Sequence, residues 1–434
     1  MTQAQKSFRR QDGNVPQATS WASAPRASAG EAPPPSADFL TRIEIALLRK
    51  MLAALGNPPL TLVHWQGFEV HGASGRPHAR IFLHDREALF RLIRDPEFWF
   101  GEMYVAGRID VSGDLVEILE SVYRGMAAAG RKAALRSVLA QFSGTPRNGL
   151  AEARRNIHHH YDIGNDFYRL WLDERMLYTC AYFPDRTLAL EQAQLAKMDH
   201  VCRKLWLKPG EAVVEAGCGW GALALHMARH YGVKVKAFNI SREQLEYARH
   251  RAHAEDLEDR VEFIEDDYRN AGGPCDAFVS VGMLEHVGLE NFHALGAVIN
   301  RILQPAGRGL IHTIGRDVPG PLNAWIERRI FPGACPPTLA QMMRIFEPSR
   351  LSVLDVENLR LHYATTLEHW LARFETSSAK VEAMFDAEFV RAWRLYLAGS
   401  LAAFRSGDMQ LFQVVFNRSG CNKMPWTRGH LYAS

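Results

Sequence analysis

The chain predicts an α/β protein in which a parallel sheet is covered by helices on both faces, preceded by a small α+β domain. Three observations lead there. From Ala212 onward, short apolar runs alternate with helix-length segments, the pattern of strand–helix–strand units joined by crossovers. The first run, Val213-Val214-Glu215-Ala216, passes straight into the glycine-rich turn Gly217-Cys218-Gly219-Trp220-Gly221. At 434 residues the chain exceeds one typical domain, so a smaller domain fits ahead of the alternation.

Taken in order, residues 1–37 are rich in Ala, Ser, Pro, Gln and Arg and end in Pro33-Pro34-Pro35; this composition predicts disorder. A small domain is expected over 38–128. Its first helix carries Ile43, Ile45, Leu47, Leu48, Met51, Leu52 and Leu55 and stops at Gly56-Asn57-Pro58-Pro59. Short alternating stretches follow at 60–63 and 79–83, then Phe100-Gly101-Glu102-Met103-Tyr104 and a helix over 113–123. No chemical constellation stands out in this domain. Residues 129–155 read as a connecting helix and linker. Within them, Arg131, Lys132, Arg136, Arg147, Arg154 and Arg155 face the single acid Glu152. Such a stretch is either a solvated linker or a patch for anionic lipid headgroups, at about 1 kcal/mol per basic residue near the surface.

The main domain is expected over 156–420. Its strands read at 212–216, 233–238, 261–265, 276–281 and 308–314, and its helices at 220–230, 242–255 and 289–303. Ligands of open α/β sheets sit at the carboxyl ends of the strands. That rule gathers Gly217, Asn239, Asp267, Glu285 and His312–Ile314 along one rim.

Composition narrows the function class. Hydrophobic content of 47% and charged content of 23% describe an ordinary globular protein. A net charge of +3 does not favour a nucleic-acid partner. Six scattered cysteines without a C-x-x-C pair predict neither a zinc ribbon nor a disulfide scaffold and fit a reducing cytosol. No apolar run approaches the length of a membrane span, and no apolar core of a signal peptide stands at the N-terminus.

The glycine turn carries the first chemical signal. Glycines admit a ligand close to the backbone, and a helix N-terminus offers free N–H groups. The spacing G-C-G-W-G is neither the dinucleotide nor the P-loop pattern, and no lysine follows to hold phosphates. Acid-x-G-x-G is the usual mark of an S-adenosylmethionine (SAM) site, in which the acid fixes the methionine or ribose end.

Upstream stands Asn156-Ile157-His158-His159-His160-Tyr161-Asp162-Ile163-Gly164-Asn165-Asp166-Phe167-Tyr168, continuing to Met176-Leu177-Tyr178-Thr179-Cys180-Ala181-Tyr182-Phe183. The three adjacent histidines do not make a metal site, because consecutive residues cannot face one point. With Met283-Leu284-Glu285-His286-Val287-Gly288 and His312-Thr313-Ile314-Gly315, the chain resembles the cyclopropane-fatty-acyl-phospholipid synthases and the related mycolic-acid cyclopropane synthases. The resemblance covers roughly 60–416, including the N-terminal domain of the phospholipid enzymes.

The resemblance implies a class I SAM methyltransferase fold and a set of roles. Tyr178 and Thr179 would touch the methionine part of SAM, and Gly217 and Gly219 would line it. Glu215 stands where the family usually has Asp, and Thr179 where Ser is commoner. Asn239, Ser241 and Gln244 would reach the ribose and carboxylate region, and Asp267 and Tyr268 would flank the adenine. A bicarbonate ion beside the reacting carbon would be held by Cys180, Glu285, His312, the backbone around Ile314, and Tyr363. Cys335 matches a cysteine regarded as important in the phospholipid enzymes. The implied substrate is an unsaturated phospholipid acyl chain, met by a cytoplasmic enzyme that associates reversibly with the membrane; a homodimer is implied by resemblance alone.

That chemistry suits those residues. An isolated alkene has no proton whose removal would activate it, so the electrophile must be strong, as a sulfonium methyl is. Closing a ring then needs a base small enough to sit in an apolar tunnel, and a buried anion needs full hydrogen bonding. Two rivals stay within methyl transfer: methyl-branched lipids, and the small amines of the alkaloid N-methyltransferases, which lack the N-terminal domain. A catalytically dead lipid-binding protein would not need Glu285, His312, Tyr363 and Gly217/Gly219 intact.

Overall fold

The computed structural model describes residues 38–72, 79–128 and 163–432. The tail 1–37, the linker 129–155 with its basic stretch, and the run His158–His160 lie outside these residues.

The N-terminal part begins with helix Phe39–Ala54, capped by Asp38, which accepts the Thr41 N–H at 2.7 Å. Four short strands follow: β1 (Thr61–Val63), β2 (Glu69–His71), β3 (Arg80–Leu83) and β4 (Ile109–Ser112). They form one sheet in the order β2-β1-β3-β4. Between β3 and β4 lie helices Arg86–Arg94 and Pro96–Val105. Phe100–Tyr104 belongs to the second of these, which starts with Pro96 in its first turn and Asp95 as cap. The helix expected over 113–123 runs from Leu115 to Ala128.

The second sheet orders its strands β10-β11-β9-β8-β5-β6-β7. They are β5 (Ala212–Ala216), β6 (Lys234–Asn239), β7 (Val261–Glu265), β8 (Cys275–Val281), β9 (Leu303–Gly315), β10 (Leu351–Asn358) and β11 (Gln410–Arg418). The five strands β7, β6, β5, β8 and β9 are parallel, as the alternation predicts. Two strands not read from the sequence extend the sheet at one edge, where β11 runs antiparallel to β9 and β10 antiparallel to β11. The reason is the connection. After β10 the chain leaves along helix Arg360–Met384 and returns along helix Ala387–Ser406. A helical hairpin brings it back to the end it left, so β11 must run the other way, with Asn358 opposite Phe412.

The glycine turn lies between β5 and helix Ala222–Tyr231, with Gly217, Gly219 and Gly221 all at positive φ. At Gly221 the packing also demands glycine, since a Cβ would come within 2.6 Å of the Phe263 ring and 2.8 Å of Ala248. The upstream motif is tied to the same turn, because Trp220 Nε1 donates to Asn165 Oδ1 at 2.7 Å.

The two sheets are locked together through side chains. Arg391 donates to the carbonyls of Tyr104 (2.5 Å) and Ile109 (2.8 Å) and to Asp110 Oδ1 (2.9 Å), and its guanidinium lies 4.2 Å from the Tyr104 ring centroid. Trp325 Nε1 donates to Glu102 Oε1 at 3.1 Å. The indole packs so tightly on Gly101 that a Cβ there would stand 2.4 Å from it.

Candidate active site

The parallel strands deliver the rim as their carboxyl ends require. Gly217 follows β5, Asn239 ends β6, Asp267 follows β7, Glu285 lies in the short 3-10 turn Leu284–His286 after β8, and His312 and Ile314 close β9. At the glycine-turn end, Asn239 Nδ2 donates to the Gly219 carbonyl (3.2 Å) and to Gln244 Oε1 (2.8 Å). Its Oδ1 accepts the N–H groups of Ile240 and Ser241. The Ser241 hydroxyl caps helix Arg242–Ala254 by accepting the Gln244 N–H at 3.5 Å. Asp267 accepts from the Arg269 backbone and guanidinium. Glu215 Oε2, Gln244 Nε2 and the Tyr268 hydroxyl are buried without a partner among the described residues. Buried polar atoms of this kind are free to bond a ligand or a water.

One buried cation stands beneath this end. Lys197, on helix Leu190–Lys204, donates from Nζ to Thr179 Oγ1 at 2.9 Å. Burial pulls its ammonium down to about 8, opposed by Asp173, Cys180 and Glu215. Burial likewise pushes Glu215 up to about 8, opposed by Lys197. Gln194 Nε2 donates to the Thr179 carbonyl at 2.9 Å, so the backbone of this residue is held as well.

At the other end, Tyr178, Thr179, Cys180, Glu285, His312, Ile314 and Tyr363 line a single apolar cavity of about 300 Å³. Glu285 Oε1 accepts the Ile314 N–H at 2.6 Å; its Oε2 has no partner among the described residues. Burial pushes this carboxyl up to about 7. Gln413 Nε2 donates to His312 Nδ1 at 3.0 Å, which leaves the neutral ring's proton on Nε2. That atom is also buried and unpartnered among the described residues. Burial holds His312 well below its ordinary value and takes the neighbouring His286 to about 4, so both rings are neutral at physiological pH. The Cys180 thiol donates to the Ala181 carbonyl at 3.1 Å, and burial pushes its pKa far up, so it is no nucleophile. The Tyr178 and Tyr396 hydroxyls stand 2.7 Å apart. Cys335 contributes its N–H, which donates to the Glu285 carbonyl at 2.7 Å, while its neighbours Ala334 and Pro336 line the cavity.

The Glu285 carboxyl makes a prediction for stability. Its folded pKa lies above the ordinary value of 4.5, so the folded state binds more protons than the unfolded chain between these values. Stability is therefore lost as pH rises through that window, and the loss is complete above about 7. A Glu285→Gln variant escapes it. Its melting temperature should match the parent's near pH 5 and exceed it near pH 8; a gap that shrinks as pH rises would refute the assignment.

A family model described as mycolic acid cyclopropane synthetase matches residues 149–414. The chain belongs to the mycolic acid cyclopropane synthetase family. A second model, described as a domain of unknown function, matches residues 47–133. A probable fatty acid methyltransferase of Pseudomonas putida is 36% identical over 390 residues, covering 86% of this chain and 96% of that one. The cyclopropane-fatty-acyl-phospholipid synthase of Escherichia coli K12 is 41% identical over 260 residues, 60% of this chain and 66% of that one. Among solved structures, mycolic acid cyclopropane synthase CmaA1 complexed with SAH and CTAB superposes with a TM-score of 0.58 at 29% identity, covering 61% of this chain and 97% of that one.

This member of the cyclopropane synthetase family is a SAM-dependent methyltransferase of the class I fold. Its residues fit the cofactor. No heavy atom lies within 4 Å of a Cβ built on Gly219, and the orphaned atoms of Glu215, Gln244 and Tyr268 share this end of the sheet. Sequence reasoning missed Lys197, Gln194, Gln413 and Tyr396. Gln413 had a legible signal, a lone amide inside the apolar run Leu411-Phe412-Gln413-Val414-Val415-Phe416. Lys197 sits on a helix whose buried face includes Gln194, Lys197, His200 and Lys204, so hydropathy does not mark it as interior.

Proposed function

We propose that the enzyme transfers a methylene group from SAM to the cis double bond of an unsaturated phospholipid acyl chain and forms a cyclopropane ring, with bicarbonate as the base. The observation that carries this reading is the pair of buried polar atoms without a partner among the described residues, Glu285 Oε2 and His312 Nε2, on the wall of a mainly apolar cavity. An apolar cavity suits a hydrocarbon substrate, and two such atoms suit one small polar ion among hydrocarbon. Bound SAM supplies the electrophilic methyl group, and bound bicarbonate supplies the small base.

The protein's own groups do the rest. Tyr178 and Thr179 join the two ends of the site, the latter oriented by Lys197. The His312 Nε2–H donates a hydrogen bond. With its carboxyl held near neutrality, Glu285 keeps or yields a proton at Oε2 while Oε1 stays anchored on the Ile314 N–H. Tyr363 lines the same cavity and can supply a further hydroxyl. The apolar walls exclude water, which strengthens each of these interactions. The acyl chain has to reach this cavity from a bilayer. Among the described residues no helix is long and apolar enough to cross a membrane; we add to the reading reversible contact with the membrane surface from the cytoplasmic side, and a homodimer that rests on the family resemblance alone.

The test is turnover of SAM on vesicles of cis-unsaturated phospholipid, read by product mass. We expect a gain of one methylene with loss of the double bond, and a rate that falls in bicarbonate-depleted buffer and recovers on adding bicarbonate. Indifference to bicarbonate would contradict the assigned base. The similarity to a probable fatty acid methyltransferase of Pseudomonas putida favours a second reading in which the product is a methyl-branched chain.

A further inference from the structure

We propose that the small N-terminal domain is the acyl-tail-binding part of the enzyme, and that its interior receives the methyl-terminal end of the chain. This rests on the lipid-substrate reading above and adds to it a site and a specificity.

The cavity that holds Glu285 and His312 does not end in the methyltransferase domain. It passes between helix Ala387–Ser406, where Leu395, Gly399 and Ala403 line it, and helix Leu115–Ala128, where Leu119, Val122 and Met126 line it. Gly399 faces Leu119 across this passage; a Cβ there would lie in ordinary contact with it, at 3.9 Å. Beyond them the cavity reaches Leu62 on β1 and Ile81 on β3. These residues are not surface. Leu60, Leu62, Leu92 and Ile118 are 1%, 2%, 4% and 1% exposed and belong to the domain's hydrophobic core. The opening therefore leads into the middle of the domain.

Two further observations make this a built site. The domain is clamped in place by Arg391 and by Trp325 against Gly101, so its inner wall keeps a fixed position relative to Glu285. The lining in this direction is almost wholly aliphatic and aromatic. A phosphate headgroup cannot be buried there without a partner, whereas the methyl end of an acyl chain carries no polar group. The chain must then lie with its double bond beside Glu285 and its tail in the N-terminal domain. The depth of that wall measures the number of carbons beyond the double bond. Each methylene buried or refused is worth about fourfold in preference.

The experiment uses the full-length protein and three phospholipids mixed in one vesicle. Their acyl chains have sixteen carbons with the double bond at carbon nine, eighteen with it at nine, and eighteen with it at eleven. The first and third have six carbons beyond the double bond; the second has eight. Val122→Trp, which narrows the passage, should disfavour the second lipid against both others by roughly fifteenfold relative to the parent, two methylenes' worth. Val122→Ala, which carries little risk to folding, should shift the ratio the opposite way. Calorimetric SAM affinity should be unchanged in both. A product ratio identical to the parent's, or one that follows the carbons on the carboxyl side, would overturn the proposal. A parent that converts none of the three lipids would instead overturn the lipid-substrate reading itself.

Discussion

Replacing Glu285 with Gln is expected to lower turnover by about a hundred- to ten-thousandfold, the range for loss of a positioned acid–base group, while SAM binds as in the parent. The substitution keeps the side chain's shape and can keep the Ile314 N–H on an amide oxygen, as Oε1 holds it now. What it removes is the group at Oε2 that holds and yields a proton. The glycine turn belongs to the other end of the site, so the cofactor has no reason to sense the change. Single-turnover rates and calorimetry on the same preparation separate the two effects. A variant that turns over at the parental rate would show that the carboxylate only anchors the Ile314 backbone.

Replacing Gly219 with Val should weaken SAM binding by roughly ten- to a hundredfold, since forcing extra methylenes into a filled site costs about 1–3 kcal/mol. The protein itself offers room, with no heavy atom within 4 Å of the new Cβ, so the clash falls on the ligand. The backbone there has φ +54°, and a left-handed residue with a side chain is strained by about 1–2 kcal/mol. Gly219→Ala controls for this strain, because it shares the backbone penalty and intrudes less. If Ala and Val bind SAM equally well, and as tightly as the parent, the turn does not border the ligand.

Much of the site was legible because its residues sit where parallel strands end. The runs before Gly217, Asn239, Asp267, Glu285 and His312 could each be read as strands, and a parallel sheet aligns their carboxyl ends. The antiparallel edge was not legible. Strand β11 reads as one more apolar run, and its direction depends on the preceding helices forming a hairpin. That edge matters chemistry-wise, because the pairing of Gln413 with His312 across β11 and β9 fixes which ring nitrogen carries the proton. Nor did the sequence disclose the reach of the cavity. Leu62, Ile81 and Val122 look like ordinary core residues of a small domain. They become part of the site only when Gly101 packs on Trp325 and Arg391 grips the Tyr104 carbonyl, contacts between distant segments that no local pattern announces.

The most direct test of the central claim is to run the vesicle reaction with SAM bearing a trideuterated methyl group and to count the deuterium retained in the lipid. In the proposed reaction ring closure loses one of the three to the base, so the expected product retains two deuterons and has no double bond. A product that retains all three, with a methyl branch in place of a ring, would contradict it.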